Sequence, residues 1–306
     1  KHTDTLDIFN DDFGFSMANF IPNDSSKTFL SNAPATQYAN IEDYGTVGFW
    51  QPDSINADKV NKIKFNYFDS TGASLGTDTI VKHANTGAYV NWSDKAKKQL
   101  LFFGCFPGNL QNWSTVFQAL VTAGTIQGGY YTVQALDSAN QETLKPYTIQ
   151  VNCPSGKGYE SIRICWLNQW GAWDYYTFTK KSVKSISTKG TTYQQLGGTW
   201  NEGVYRLDSY RGGKKSFRVN ATEKIKMNTD FVSEDDTVMF EELINSPEVY
   251  LLEGYQTDSG FSSLNNYVTP VRLTTSSFTR KTIANDKLMQ YTFEIEKSKT
   301  LRTQSI

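Results

Sequence analysis

Val60-Asn61-Lys62-Ile63-Lys64-Phe65-Asn66-Tyr67-Phe68-Asp69-Ser70-Thr71-Gly72-Ala73-Ser74-Leu75 is the stretch that decides the fold class. Successive side chains of an extended chain point to opposite faces, so Ile63, Phe65 and Tyr67 share one face and Lys62, Lys64 and Asn66 the other. This is the pattern of a half-buried strand. Asp69-Ser70-Thr71-Gly72 then supplies a tight turn, and Ser74 to Val81 returns with alternation at Leu75 and Ile80. The expected unit is a β-hairpin.

The strand signal recurs in both directions from this hairpin. Tyr130 to Leu136, Tyr147 to Cys153, Ser161 to Asn168 and Tyr175 to Thr179 read as short strands separated by Gly, Pro, Asn and Ser clusters, the spacing of a sandwich. Lys214 to Met227 alternates through Phe217, Val219, Ile225 and Met227, and Val249 to Leu252, Val268 to Leu273 and Leu288 to Ile295 follow. Three helices are expected: a short one opening at Ser93 or Asp94 and running toward Phe103, one over Leu110 to Val121, and one capped by Ser233 and stopped by Pro247. Lys180 to Gly198 has few apolar residues besides Val183, Ile186 and Leu196, and reads either as a domain junction or as one long hairpin loop. The predicted fold is mainly β, with two β-sandwich-like domains and a few short helices. Its parts are an irregular N-terminal arm over 1–39, an N-terminal β-sandwich domain over 40–182 and a C-terminal β-rich domain over 183–306.

Composition narrows the function. Of the 306 residues 14% are aromatic, so Tyr, Phe and Trp carry much of the buriable area and suit contact surfaces as well as strands. Net charge is −1, with Lys and Arg interspersed among Asp and Glu, and no nucleic-acid partner is expected. Cys105, Cys153 and Cys165 are odd in number and widely spaced, which fits buried thiols better than a disulfide framework or zinc site. Lys1-His2-Thr3-Asp4 lacks the apolar stretch of a signal peptide, and no segment reaches membrane-spanning length, so folding in a reducing cytoplasm without a membrane partner is the expectation.

Catalytic constellations are scarce. With only His2 and His83, a Ser-His-Asp triad, a Cys-His pair or a multi-histidine metal site would depend on His83, which reads as a turn residue after a strand. No phosphate-cradling glycine loop or nucleophile elbow is present, and no cofactor is expected. A glycoside-cleaving enzyme needs only two carboxylates. Asp235-Asp236 and Glu241-Glu242 diverge as neighbours on a helix, and Glu294 and Glu296 read as the solvated face of the last strand.

Two aromatic groups remain as candidate contact residues. Phe9, Phe13, Phe15, Phe20 and Phe29 punctuate the polar arm, which reads either as a loop packed on its own domain or as an extension that anchors on a neighbour. Each Phe buried on assembly would contribute about 1.5–3 kcal/mol, so deletion of the arm is expected to leave a folded chain that no longer joins its assembly. The second group is Trp170, Trp173, Tyr175 and Tyr176, around Gly171. Its rings either form a hairpin buried in the sandwich or stand exposed for sugar stacking or subunit contact.

Arg163-Ile164-Cys165-Trp166-Leu167-Asn168-Gln169-Trp170-Gly171-Ala172-Trp173-Asp174-Tyr175-Tyr176-Thr177-Phe178 resembles a run found in virion structural proteins of tailed, marine-type bacteriophages. The resemblance extends to Leu243-Ile244-Asn245-Ser246-Pro247-Glu248-Val249-Tyr250, to Pro270-Val271-Arg272-Leu273 and to Tyr291-Thr292-Phe293-Glu294 through Leu301-Arg302-Thr303-Gln304, about the second half of the chain. It implies a tail, neck, collar or baseplate subunit, assembled in the host cytoplasm and located in the virion. Its partners would be copies of itself and other virion proteins, with no catalytic residues and a host-surface glycan as a further ligand to consider. A carbohydrate-binding or adhesin-like β-sandwich is the second expectation, and a glycoside-cleaving enzyme the third.

Overall fold

The computed structural model describes residues 22, 26–51, 60–81, 99–152, 159–198, 203, 204, 206, 212–232, 236–253, 267–275, 277 and 289–299. His2, His83 and Cys153 lie outside them, as do Phe9, Phe13, Phe15 and Phe20. The fold is mainly β, with three helices among the described residues, the expected class.

The first sheet forms around the hairpin that opened the sequence reading. β3 (Lys62–Phe68) buries Ile63, Phe65 and Tyr67 completely and leaves the intervening residues partly wet. Gly72 turns the chain at φ +88°, while Asp69 Oδ1 accepts from the Thr71 and Ala73 amides. β4 (Ser74–Val81) then pairs antiparallel with β3. β6 (Tyr130–Leu136) and β7 (Tyr147–Val151) extend the sheet on the other side of β3, and β1 (Thr36–Ala39) closes it by running parallel to β7. A separate antiparallel pair, β2 (Thr46–Gln51) and β5 (Gln99–Gly104), packs Phe49 and Phe103 into the same core.

Two details differ from the sequence reading. Residues 99–104, the latter part of the stretch expected to begin with a short helix, form a strand, because Leu101, Phe102 and Phe103 complete a ladder with β2; its opening, 93–98, lies outside the described residues. The helix read over 110–121 is two helices, α1 (Pro107–Trp113) and α2 (Thr115–Thr122). Ser114 separates them: its backbone is extended, and its hydroxyl accepts from the Phe117 amide at 2.8 Å and donates to Asp78. A serine that caps a new helix offers the backbone an alternative to continuing the old one.

The second sheet has seven strands in the order β10-β11-β14-β13-β12-β8-β9. Its members are β8 (Ile162–Leu167), β9 (Trp173–Phe178), β10 (Val183–Gln195), β11 (Gly213–Asn228), β12 (Val249–Leu252), β13 (Val268–Leu273) and β14 (Thr292–Lys297), all antiparallel to their neighbours. α3 (Thr237–Asn245) seats Phe240 and Leu243 in a core with Trp166, Phe178, Ile225, Phe293 and Ile295. The chain leaves the first sheet after Val151 and enters the second at Ile162, so the division expected at 182/183 falls between β9 and β10, inside one sheet. The arm expected over 1–39 likewise divides. Phe29 and Leu30 are core residues and β1 is a sheet strand, so deleting the whole stretch would remove structure and not merely an extension.

Candidate assembly interface

The aromatic hairpin is built inward. Asn168 organises its turn: the side-chain carbonyl accepts from the Trp170 and Ala172 amides at 3.0 and 2.9 Å, and Gly171 sits at φ +74°. The Asn168 amide donates to Asp174 Oδ2 and to the Leu30 carbonyl, both at 3.1 Å, so the hairpin grips the segment that follows Phe29. Trp170 is buried with Leu30, Trp50 and Ala172. Phe29 is buried against Phe103 and Tyr147.

The remaining candidates of this group are half-buried. Tyr175 places its hydroxyl 3.0 Å from Thr46 Oγ1 and its ring against Phe106 and the Arg163 guanidinium. Tyr176 accepts from the Asp230 amide and packs edge-on against Phe178 and Phe240. Trp173 meets Tyr250 edge-to-face at 5.7 Å. These rings therefore work within the subunit, with Trp173 and Tyr250 nearest to a stacking surface.

Two buried polar clusters lie beside them. Arg163 donates to the Tyr44 carbonyl, to Asp43 Oδ2 at 3.2 Å and to Thr177 Oγ1 at 2.7 Å, with its guanidinium over the Phe106 ring. Asp174 accepts from Ser31 Oγ at 2.5 Å and from Asn168; burial pushes its carboxyl up to about 6 against these hydrogen bonds. Glu242 accepts from Asn32 Nδ2 at 2.7 Å, and desolvation, with the Asp174 charge second, pushes it up to about 7. Ser31 and Asn32, adjacent in the chain, engage Asp174 and Glu242 Oε1 through their side chains. Glu294 and Glu296 engage Lys224 and Arg272 on the outer face of β14, and no group of three metal-ligating side chains occurs among the described residues.

The exposed apolar surface lies elsewhere, on β10 and β11. These strands of 13 and 16 residues form a two-stranded ribbon, and beyond Lys224 toward its tip β11 pairs with β10 alone. The register opposes Ile186 to Glu223, Thr188 to Ala221 and Gly190 to Val219. Positions 219, 221 and 223 share a face with Ile225 and Met227, which are fully buried at the root. The core-side face of the sheet thus continues into solvent, carrying Ile186 at 64% exposure and Val219. Phe217 is the extra residue of a β-bulge between Arg218 and Ser216, is 77% exposed and meets Tyr193 edge-to-face.

The opposite face is polar and basic, with Lys189, Arg218, Lys224 and Lys226. The two strands hold seven basic residues and one acid, a net charge of +6 that leaves the rest of the chain at −7 against −1 overall. Basic residues interspersed in the sequence are therefore collected in space, contrary to the even distribution read from the chain.

The ribbon residues were the ones not singled out from the sequence. Lys180–Gly198 is poor in apolar residues and resembled a loop, yet Ser, Thr, Val, Ile and Tyr at its centre are good strand formers. The alternation of Phe217 and Val219 was legible, but alternation does not reveal whether the apolar face is covered. A recess of about 100 Å³ at the ribbon root, bounded by Ile162, Lys184, Ile225 and Leu251, has room for a few waters. No known protein family matches the chain, and no curated protein sequence matches it. Among the described residues no helix is long and apolar enough to cross a membrane.

Proposed function

We propose that this chain is a structural subunit of a tailed-phage particle, in the tail, neck, collar or baseplate, and that it acts by subunit association. The observation that carries the reading is the ribbon: a long amphipathic element whose apolar face continues the core face of a sheet into water. Burying a large apolar side chain is worth about 1.5–3 kcal/mol, so Ile186 and Val219 on the core-side face, with Phe217 against Tyr193 at the bulge, favour a covered state. The resemblance of Arg163–Phe178 to virion structural proteins supplies the kind of particle. Asp174, engaged by Ser31 and Asn168, and Glu242 Oε1, engaged by Asn32, suit an architectural role for these carboxyls.

The double variant Ile186→Asp, Phe217→Asp tests the reading in particles assembled with the full chain. It is expected to fold, as judged by its near-UV circular dichroism, and to be missing from purified particles. Incorporation at the wild-type level would overturn the proposal. A glycan-binding reading keeps one observation, the half-buried Trp173 beside Tyr250. A glycan array in which binding is seen with the intact chain and lost with Trp173→Ala would favour it.

A further inference from the structure

We infer that the partner of the ribbon is a second copy of this chain, with the β10–β11 ribbon of one copy seated on the acidic body of the next in a head-to-tail contact. The inference rests on the association reading above and names its partner.

Reach supplies the first argument. Val219 lies five residues beyond Lys224, the last residue of β11 paired with β14, which at roughly 3.3 Å per residue puts it about 17 Å from the ribbon root. Beyond Lys224 β11 pairs with β10 alone, so among the described residues the sheet that bears the outer ribbon does not cover it. A second copy supplies a cover.

Charge supplies the second. Beyond Lys224 the ribbon carries Lys189, Lys214, Lys215 and Arg218 against Glu223, a charge of +3 that leaves −4 on the remainder, and the two attract when they belong to different copies. Two ribbons packed face to face around a two-fold axis would instead bring +3 against +3. A nucleic acid would use the basic face, but a phosphate backbone gives Ile186 and Val219 on the other face nothing to bury against.

The acceptor surface that matches lies where β11 leads into α3. Phe231 is 63% exposed and Val238 39% exposed there, and Asp230, Asp236 and Glu241 stand next to them in the chain. Apolar side chains with acidic neighbours in the chain complement an apolar face that carries Lys214 toward its tip. Donor and acceptor are different surfaces separated by the ribbon's length, so the contact is heterologous and propagates into a ring or a filament.

Mass photometry of the purified full chain over a concentration series, with two complementary variants, tests this. The ribbon variant Ile186→Asp, Phe217→Asp and the acceptor variant Phe231→Asp, Val238→Asp should each be monomeric. Their mixture should stop at one-to-one dimers, because only one functional ribbon and one functional acceptor remain to meet. Raising the salt from ~0.05 to ~0.5 M should weaken wild-type association by about tenfold or more.

Three results would overturn the inference. The first is a wild-type chain that is monomeric throughout; the particle-incorporation experiment then judges the association reading separately. The second is an acceptor variant that still dimerises by itself, which indicates two-fold ribbon packing. The third is fluorescence anisotropy showing duplex DNA bound by the intact chain and released by Lys189→Glu, Arg218→Glu, which assigns the ribbon to nucleic acid.

Discussion

Asp174 shows how one side chain ties sequence-distant parts together. It stands in the aromatic hairpin at the start of β9, yet its carboxyl is closed off by Ser31, 143 positions earlier, and by Asn168 across the turn. Burial holds it near pH 6, and Glu242, gripping the adjacent Asn32, near 7, both above the ordinary carboxyl range. The folded chain then binds protons more tightly than the unfolded chain. Stability is greatest on the acid side of this pair, falls as the pH rises through about 4 to 7, and is lowest above 7. At about 1.4 kcal/mol per pH unit the loss reaches up to about 3 kcal/mol for Asp174, and less for the more exposed Glu242. Urea unfolding at pH 5.5 and pH 8 should show a lower midpoint at pH 8. In Asp174→Asn the drop should shrink even if the variant is less stable at both pH values. An equal drop in both proteins would dissociate Asp174 from the effect.

At the scale of elements the ribbon behaves unlike every other strand pair. β3 and β6 alternate buried with half-buried positions, whereas β10 is exposed along nearly its whole length. Surface substitutions away from packed features change stability by no more than about 0.5 kcal/mol. Ile186→Asp and Phe217→Asp should therefore leave the thermal midpoint of the purified chain nearly unchanged at low concentration, where no neighbour covers the ribbon. A large drop, read by differential scanning fluorimetry, would mean that these side chains are packed within their own subunit. Elements were legible wherever burial alternated. The alternation of Lys62–Val81 and of Lys214–Met227 gives strands, the turn clusters delimit Tyr130–Leu136, and Gly171 marks a turn. β1 and β2 were not read, since four and six residues with Gly48 among them give too short a pattern. β10 was obscured by its polar composition, and α1 and α2 merged because one apolar spacing runs across Ser114. Four of the nine aromatic candidates stand in or beside the Gly171 hairpin, and their orientation is open in the sequence because a ring's period does not say which side of a sheet is wet.

For the whole molecule the decisive question is what makes two sheets with separate cores one subunit. Leu30, Trp50, Trp170 and Ala172 form a small apolar cluster where the segment after Phe29, β2 and the hairpin meet. Beside it, Arg163 of the second sheet reaches Asp43 and the Tyr44 carbonyl in the link between β1 and β2. Its guanidinium is buried between Phe106 and Tyr175, and Thr177 supplies Asp43 with a further hydrogen bond at 2.8 Å. Replacing a buried pair by apolar groups can be neutral, but removing one partner leaves the other charge stranded, at a cost of about 3–5 kcal/mol. Arg163→Ala should lower stability by that order. It acts on the contact between the sheets and not on either core, so unfolding followed by both near-UV circular dichroism and amide exchange should separate into two transitions where the wild type shows one. A single, merely shifted transition would place the coupling in the Leu30–Trp170 cluster instead. The distinction matters for assembly, because a force applied through a ribbon anchored in the second sheet reaches the first in part through this latch and the apolar cluster beside it.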